Sequence, residues 1–366
     1  MSDVVFILGA GASKECGAPL MADFLDTAFD LWKRNEIPQD KIIHFEKVYK
    51  SISALQKIHS KSQLDINNIE AIFNTFEMGK IISKLPGTET YDEIIGLINS
   101  LKEVIYTTLE KTIKFKRNAQ YILPSKAYER FVNLIKFLRE ETHPKKSVSI
   151  ITFNYDIALD HALYYGGFDI DYCLEDKKKS LQNTISLLKL HGSLNWALEK
   201  QSGQIMPFYL KDYFANYSIP ISTIAPEITA PIWTHTLKYF DGRKFQVERE
   251  PAIVPPSWNK TDYHKTLSKV WNKAARELEM AEYIFVIGYS MPITDTFFKL
   301  LYAIGSTGDV PLRKFCVCNP DSSGKTEERY REMLGPGAIE RFNYENITFF
   351  NSIDIIKNSF SKKKNN

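Results

Sequence analysis

Val4-Val5-Phe6-Ile7-Leu8-Gly9-Ala10-Gly11-Ala12-Ser13 runs an unbroken apolar stretch straight into a glycine-spaced turn. Consecutive β-favouring residues without alternation suit a strand buried on both faces, the condition inside a parallel sheet. Gly9 and Gly11 admit positive φ and close backbone approach, so amides of the turn can face a diphosphate, with the Ser13 hydroxyl beside them. The same residues also suit a tight βα turn of structural value only. Lys14 stands where the dinucleotide fingerprint has its third glycine, so simple dehydrogenase logic fits poorly.

The pattern of strand, loop and helix repeats downstream. Val148 to Phe153 reads as a strand, followed by Asn154-Tyr155-Asp156 and a short helix to about Tyr165. Strands are expected at Phe168–Leu174 and Ser186–Leu190, the second delivering His191-Gly192-Ser193 at its end. Residues 198–260 are rich in proline and aromatics without a clear period and read as irregular. Leu267, Trp271, Ala274 and Leu278 mark a helix leading into the strand Tyr283–Ile287, which ends in Gly288-Tyr289-Ser290. A helix near Thr294–Ile304, a strand Lys314–Cys318, a helix around Glu327–Leu334 and a last strand near Thr348–Phe350 complete the series. This alternation predicts an α/β fold, a Rossmann-like doubly wound parallel sheet.

Between those parts the period changes. Met21, Leu25, Ala28 and Trp32, then Phe45, Val48, Ile52 and Leu55, then Ile66, Ile69, Phe73 and Phe76, then Ile94, Ile98, Leu101 and Ile105 recur at helical spacing, with no convincing strand between. The expected division is a discontinuous Rossmann domain from 1–20 plus 146–361, a large helical insertion at 21–145 and a basic tail at 362–366.

The 366 residues are 44% hydrophobic, enough to bury a large core. Against 47 basic residues stand 44 acidic ones, a net charge of +3 that does not indicate direct nucleic-acid binding. Cys16, Cys173, Cys316 and Cys318 form neither a disulfide framework nor a paired zinc motif, and no segment reaches membrane-spanning length. A cytoplasmic protein is expected.

In open α/β sheets ligands bind beyond the carboxyl ends of the strands. Asn154 there can hold a ribose hydroxyl or a water, while Asx residues after a strand also cap the next helix. His191 reads either as a structural histidine or as a general base facing a pocket, with Gly192 leaving space beside it.

The ordered set is more specific than any member. GAGAS at 9–13, SKECGAP at 13–19, TFNYD at 152–156, HGS at 191–193, GYS at 288–290 and Asn319 after a strand resemble the sirtuin family over roughly half the chain. The resemblance implies that Gly9, Ala10, Gly11 and Ser13 cradle the phosphates of NAD⁺ and that Asp156 holds the nicotinamide carboxamide. It further implies that Asn154 and His191 act at the nicotinamide ribose, Gly288 and Ser290 line the phosphate side, and Asn319 approaches the adenosine ribose. Phe153 stands where many deacylases carry glutamine, and Leu20-Met21-Ala22 where Asp-Phe-Arg often follows.

Sirtuin deacylases complete their peptide groove with a four-cysteine zinc module between the motifs that here read HGS and GYS. Ser193 to Gly288 contains no cysteine, so that module is absent and no metal is expected. The chain instead resembles the sirtuin-like NADases of bacterial anti-phage defence, which lack the module. That implies an NAD⁺ glycohydrolase with catalytic Asn154 and His191, NAD⁺ being substrate and not cofactor. A homo-oligomer, a partner defence protein such as an associated ATPase, or both would control it. An NAD⁺-dependent deacylase or ADP-ribosyltransferase, or a non-catalytic NAD⁺ or ADP-ribose sensor, are the alternatives. The preference between NAD⁺ and NADP⁺ is left open by the sequence.

Overall fold

The computed structural model describes residues 2–58, 61–118, 121–175, 183–199, 202–211, 227–229, 249–254, 261–292 and 295–361. Its strands are β1 (Val4–Leu8), β2 (Lys114–Asn118), β3 (Tyr121–Leu123), β4 (Val148–Thr152), β5 (Asp169–Asp171), β6 (Thr184–Lys189), β7 (Gly192–Glu199), β8 (Ile205–Pro207), β9 (Glu227–Thr229), β10 (Arg249–Ile253), β11 (Tyr283–Ile287), β12 (Lys314–Cys318) and β13 (Phe342–Glu345). The first seven helices are α1 (Ala10–Ser13), α2 (Phe24–Lys33), α3 (Ile42–Leu55), α4 (Ile69–Ile82), α5 (Tyr91–Thr112), α6 (Lys126–Glu140) and α7 (Ala158–Tyr165).

The centre is a seven-stranded sheet in the order β13-β12-β11-β1-β4-β6-β5, parallel throughout. The fold is therefore the expected Rossmann-like, doubly wound α/β architecture. All five residues of β1 are completely buried, which requires cover on both faces and explains why this strand shows no alternation. Each such side chain contributes about 2 kcal/mol of burial against its ordering entropy. Phe6 stacks on Phe285 at 5.6 Å and meets Phe131 of α6 edge-on at 4.9 Å. Thus a helix from within 21–145 covers the main sheet, joined by the helix Phe349–Asn358 through a contact of Phe131 with Phe349 at 5.7 Å.

Three expectations are corrected. Thr348–Phe350 is not a strand: Thr348 is the N-cap of the helix Phe349–Asn358, and the edge strand is β13, earlier in the chain. A short apolar run fits either element, and pairing with β12 decides for Phe342–Glu345. The stretch expected to be purely helical contains β2 and β3, an antiparallel pair that also joins β9. The region 198–260 is not uniformly irregular, because β7, β8 and β10 form a second antiparallel sheet. Residues 200–201, 212–226, 230–248 and 255–260, like the tail 362–366, lie outside the described residues. Among the described residues no helix is long and apolar enough to cross a membrane.

Candidate functional site

The chain leaves β1 toward β4 on one side, while β11 leads to β12 on the other, so the crevice beyond β1 and β11 is the topological switch point. There the two glycine turns meet backbone to backbone. The Gly11 amide donates to the Gly288 carbonyl at 2.9 Å, and the Gly9 amide donates to Ile287 at 3.0 Å. A Cβ on Gly9 would lie 2.6 Å from the Gly288 oxygen, and one on Gly288, at φ +63°, would lie 2.4 Å from the Ala12 nitrogen. The glycines are thus required by mutual approach of the turns, and the amides of Gly9 and Gly11 point inward, away from any phosphate.

A cleft of about 960 Å³ opens above this contact, a volume suited to a small-molecule ligand. Of the residues singled out in the sequence, Ala10, Gly11, Asn154, His191, Gly288, Ser290 and Asn319 line it. Gly9, Ser13 and Asp156 do not appear on its wall.

Asn154 is held by the strand end that carries it. The Phe153 amide donates to Leu8 at 3.1 Å, and the Asn154 amide to Thr152 Oγ1 at 3.1 Å. The Asn154 side-chain nitrogen donates to the Gly9 carbonyl at 2.9 Å and to Ser13 Oγ at 3.1 Å. With both amide hydrogens used inside the chain, the carboxamide oxygen is what remains to accept from a ligand hydroxyl or a water. Ser13 is completely buried, its hydroxyl within 2.8 Å of Tyr128 Oη, so it braces Asn154 from behind.

Asp156 is 5% exposed and accepts from the Ala158 amide at 2.9 Å, a turn immediately before α7, whose N-cap residue is Ile157. Burial pushes its carboxyl above the usual range, opposed by the nearby Lys189 ammonium. Asp156 thus bonds the first amide of α7 from one position before the cap, close to the role weighed in the sequence, and the carboxamide contact remains an implication of the resemblance.

His191 follows β6, where Val254 donates to its carbonyl at 2.8 Å. Its ring meets Phe153 edge-on at 5.2 Å and lies 6.1 Å from Tyr155, while Phe153 stacks on Tyr289 at 4.2 Å. An aromatic wall therefore fixes the imidazole at the cleft surface. Gly192 does not leave space beside it as expected: at φ +85° a Cβ would fall 1.8 Å from the Ala252 oxygen, so this glycine serves the pairing of β7 with β10.

Behind Asn154 and His191 lies a polar network that the sequence reading missed. Lys189, 1% exposed, donates to Asp160 Oδ2 at 2.9 Å and to the Asp156 carbonyl at 2.6 Å. Tyr172 Oη donates to Asp160 Oδ1 at 2.6 Å and accepts from Asn195 Nδ2 at 3.0 Å. Ser193 Oγ donates to Asn195 Oδ1 at 2.6 Å, and the Leu194 amide donates to the Tyr155 carbonyl at 2.9 Å. The loop bearing Asn154 and the strand following His191 are thereby tied together. The available signal was a lysine set within the apolar run Leu187-Leu188-Lys189-Leu190.

The far rim of the cleft comes from the turn ahead of α2, with Leu20, Met21 and Ala22, and from the approach to and start of α4, with Asp65, Asn68 and Glu70. Arg329, from the helix Lys325–Met333, lines the side nearest Asn319. Leu20, Met21 and Ala22 fall where the family often carries Asp-Phe-Arg, but no motif marked Asp65, Asn68, Glu70 or Arg329, which come together at the cleft only once the chain is folded.

Among solved structures the chain is similar to a Sir2 homologue mutant in complex with ADP ribose, at 14% identity and a TM-score of 0.42 over 100% of this chain and 96% of that one. It is similar to a Sir2 homologue in complex with NAD at 15% identity and a TM-score of 0.42, covering 98% of this chain and 90% of that one. A third similar structure is Sir2Tm bound to a propionylated peptide, at 11% identity and a TM-score of 0.38, with 97% and 92% covered. No family model and no curated protein matches the chain. At this distance a fold does not carry a function with it, and chemistry has to be argued from the cleft.

Proposed function

We propose that the protein is an NAD⁺ glycohydrolase that cleaves the bond between nicotinamide and ribose to give nicotinamide and ADP-ribose, in the manner of the sirtuin-like NADases its motifs resemble. The observation that supports this reading is the convergence in one cleft at the switch point of Asn154, His191, both glycine turns and Asn319, which the sequence scatters along most of its length. A dinucleotide spanning the turns would lay its reactive ribose toward β4 and β6, where Asn154 and His191 stand.

The nicotinamide leaving group is already cationic, so its departure needs no general acid and passes through an oxocarbenium-like transition state. The carboxamide oxygen of Asn154 positions a ribose hydroxyl and the attacking water. As the carbon–nitrogen bond breaks and the carbon–oxygen bond forms, His191 takes the proton the water releases. A role in depleting NAD⁺ during anti-phage defence, controlled by self-assembly or a partner such as an ATPase, belongs to the same proposal. So does the division into a discontinuous Rossmann domain and a helical insertion.

The test is the product profile of purified protein with NAD⁺ and no peptide, at several protein concentrations. Wild type is expected to release nicotinamide and ADP-ribose, with His191→Ala and Asn154→Ala each slower by at least about a hundredfold. Undiminished turnover in both variants would sink the assignment, and turnover that requires an acylated peptide would move the chain to the deacylases.

A further inference from the structure

The two ends of the cleft differ in charge and in commitment of their side chains. Asn154 and His191 lie on the β4 and β6 side of the glycine turns, and Ser290, Asn319 and Arg329 on the β11 and β12 side. A dinucleotide whose diphosphate crosses the turns places its second ribose, the one bearing adenine, at this latter end.

Adenine dinucleotide sites that select NAD⁺ put a carboxylate there to accept from the ribose 2′-hydroxyl, whereas an arginine accommodates a 2′-phosphate. Here the residue beyond β12 is Asn319, which is neutral, and the charged group is Arg329. Arg329 donates through Nη1 to the carbonyls of Ser290 at 2.8 Å and Met291 at 3.4 Å. Those bonds orient the guanidinium and leave Nε and Nη2 for a ligand.

No carboxylate among the described residues pairs with Arg329, although Arg331 on the same helix is paired with Glu327 at 2.7 Å. The nearby acids Asp321 and Asp295 each have another partner through at least one oxygen, and the buried Oδ1 of Asp295 bonds none of the described residues. Asp321 accepts from Ser323 Oγ at 2.6 Å and from the Thr326 amide at 2.8 Å, and Asp295, 2% exposed, accepts from Tyr289 Oη at 2.7 Å. A pre-oriented guanidinium without a counterion, on the wall of a cleft that would hold a ribose, is matched to a phosphate through paired N–H donors.

We propose that this end of the cleft recognises a ribose 2′-phosphate through Arg329, so that the substrate class extends to NADP⁺ and the phosphorylated dinucleotide binds more tightly than NAD⁺. The inference rests on the dinucleotide reading above.

The experiment compares binding of ADP-ribose and 2′-phospho-ADP-ribose by calorimetry to wild type, Arg329→Gln and Arg329→Lys. The phosphorylated ligand is expected to bind wild type about tenfold more tightly, and Arg329→Gln is expected to cut that ratio to about twofold. Arg329→Lys, which keeps the charge and loses the fork, falls between, and it carries the test if the glutamine variant does not fold. A wild-type ratio near one overturns the proposal. So does a ratio that survives in both variants while the two affinities fall together, because Arg329 would then serve the diphosphate. Binding of neither ligand to wild type removes the dinucleotide reading itself.

Discussion

The rim of the cleft built by the sheet and the rim built by the helices between β1 and β4 enclose one ligand space but are held by different forces. On the sheet side the position of the wall is set by backbone: paired parallel strands, two glycine turns in contact, and carbonyls that accept from Asn154 and Arg329. On the helical side it is set by side-chain packing of α4 on α5, with Ile72, Phe73 and Phe76 buried and the Asn68 side chain accepting from the Glu70 amide at 2.8 Å. Backbone contacts admit almost no change in volume, while packed helices adjust. The first rim should therefore be brittle to substitution and the second tunable.

The largest expected effect tests the brittle side. Lys189→Met leaves Asp160 buried without its cation and is expected to cost about 3–5 kcal/mol of stability in urea unfolding. Replacing Asp160 with Leu in the same chain should restore part of that loss, since an apolar pair needs no desolvated charge. If Lys189→Met unfolds at the wild-type midpoint, the network does not tie the two loops and the contrast between the rims weakens.

Next in size is Gly288→Ala, which combines a positive φ with a Cβ 2.4 Å from the Ala12 nitrogen. It is expected to cost about 2–3 kcal/mol, read from thermal unfolding. A change below 0.5 kcal/mol, the range of neutral surface substitutions, would mean that the turns can separate, and the brittle rim would be a soft one.

What the sequence made legible follows the same division. β1, β4, β11 and β12 could be read because buried parallel strands are continuous apolar runs and glycine turns announce their ends. Six of the residues singled out line the cleft beyond the ends of these strands, and His191 does so beyond β6. Phe342-Asn343-Tyr344-Glu345 could not be read, because an edge strand of mixed residues gains its identity from pairing with β12. Neither could β9, whose partner β2 lies far away in the chain. Asp156 and Gly192 show the limit of motif transfer. Each sits where the motif put it, yet one bonds the first amide of α7 and the other admits β10, contacts that only the assembled chain defines.

The smallest expected effect probes the tunable side and decides whether the helices hold the ligand or only cover it. Asn68 both caps α4 and lines the cleft. Asn68→Ala is expected to cost about 1 kcal/mol of stability through the lost cap and to weaken ADP-ribose about threefold through the lost polar contact. Asn68→Asp separates the two roles. It retains an acceptor for the Glu70 and Ala71 amides, so stability should return to wild type. It also places a negative charge before an anionic ligand, so affinity should stay reduced, and more so at low salt. Affinity that recovers with stability would mean that α4 acts on the site only by being folded, and the helical rim would then be a roof over a ligand held by the sheet alone.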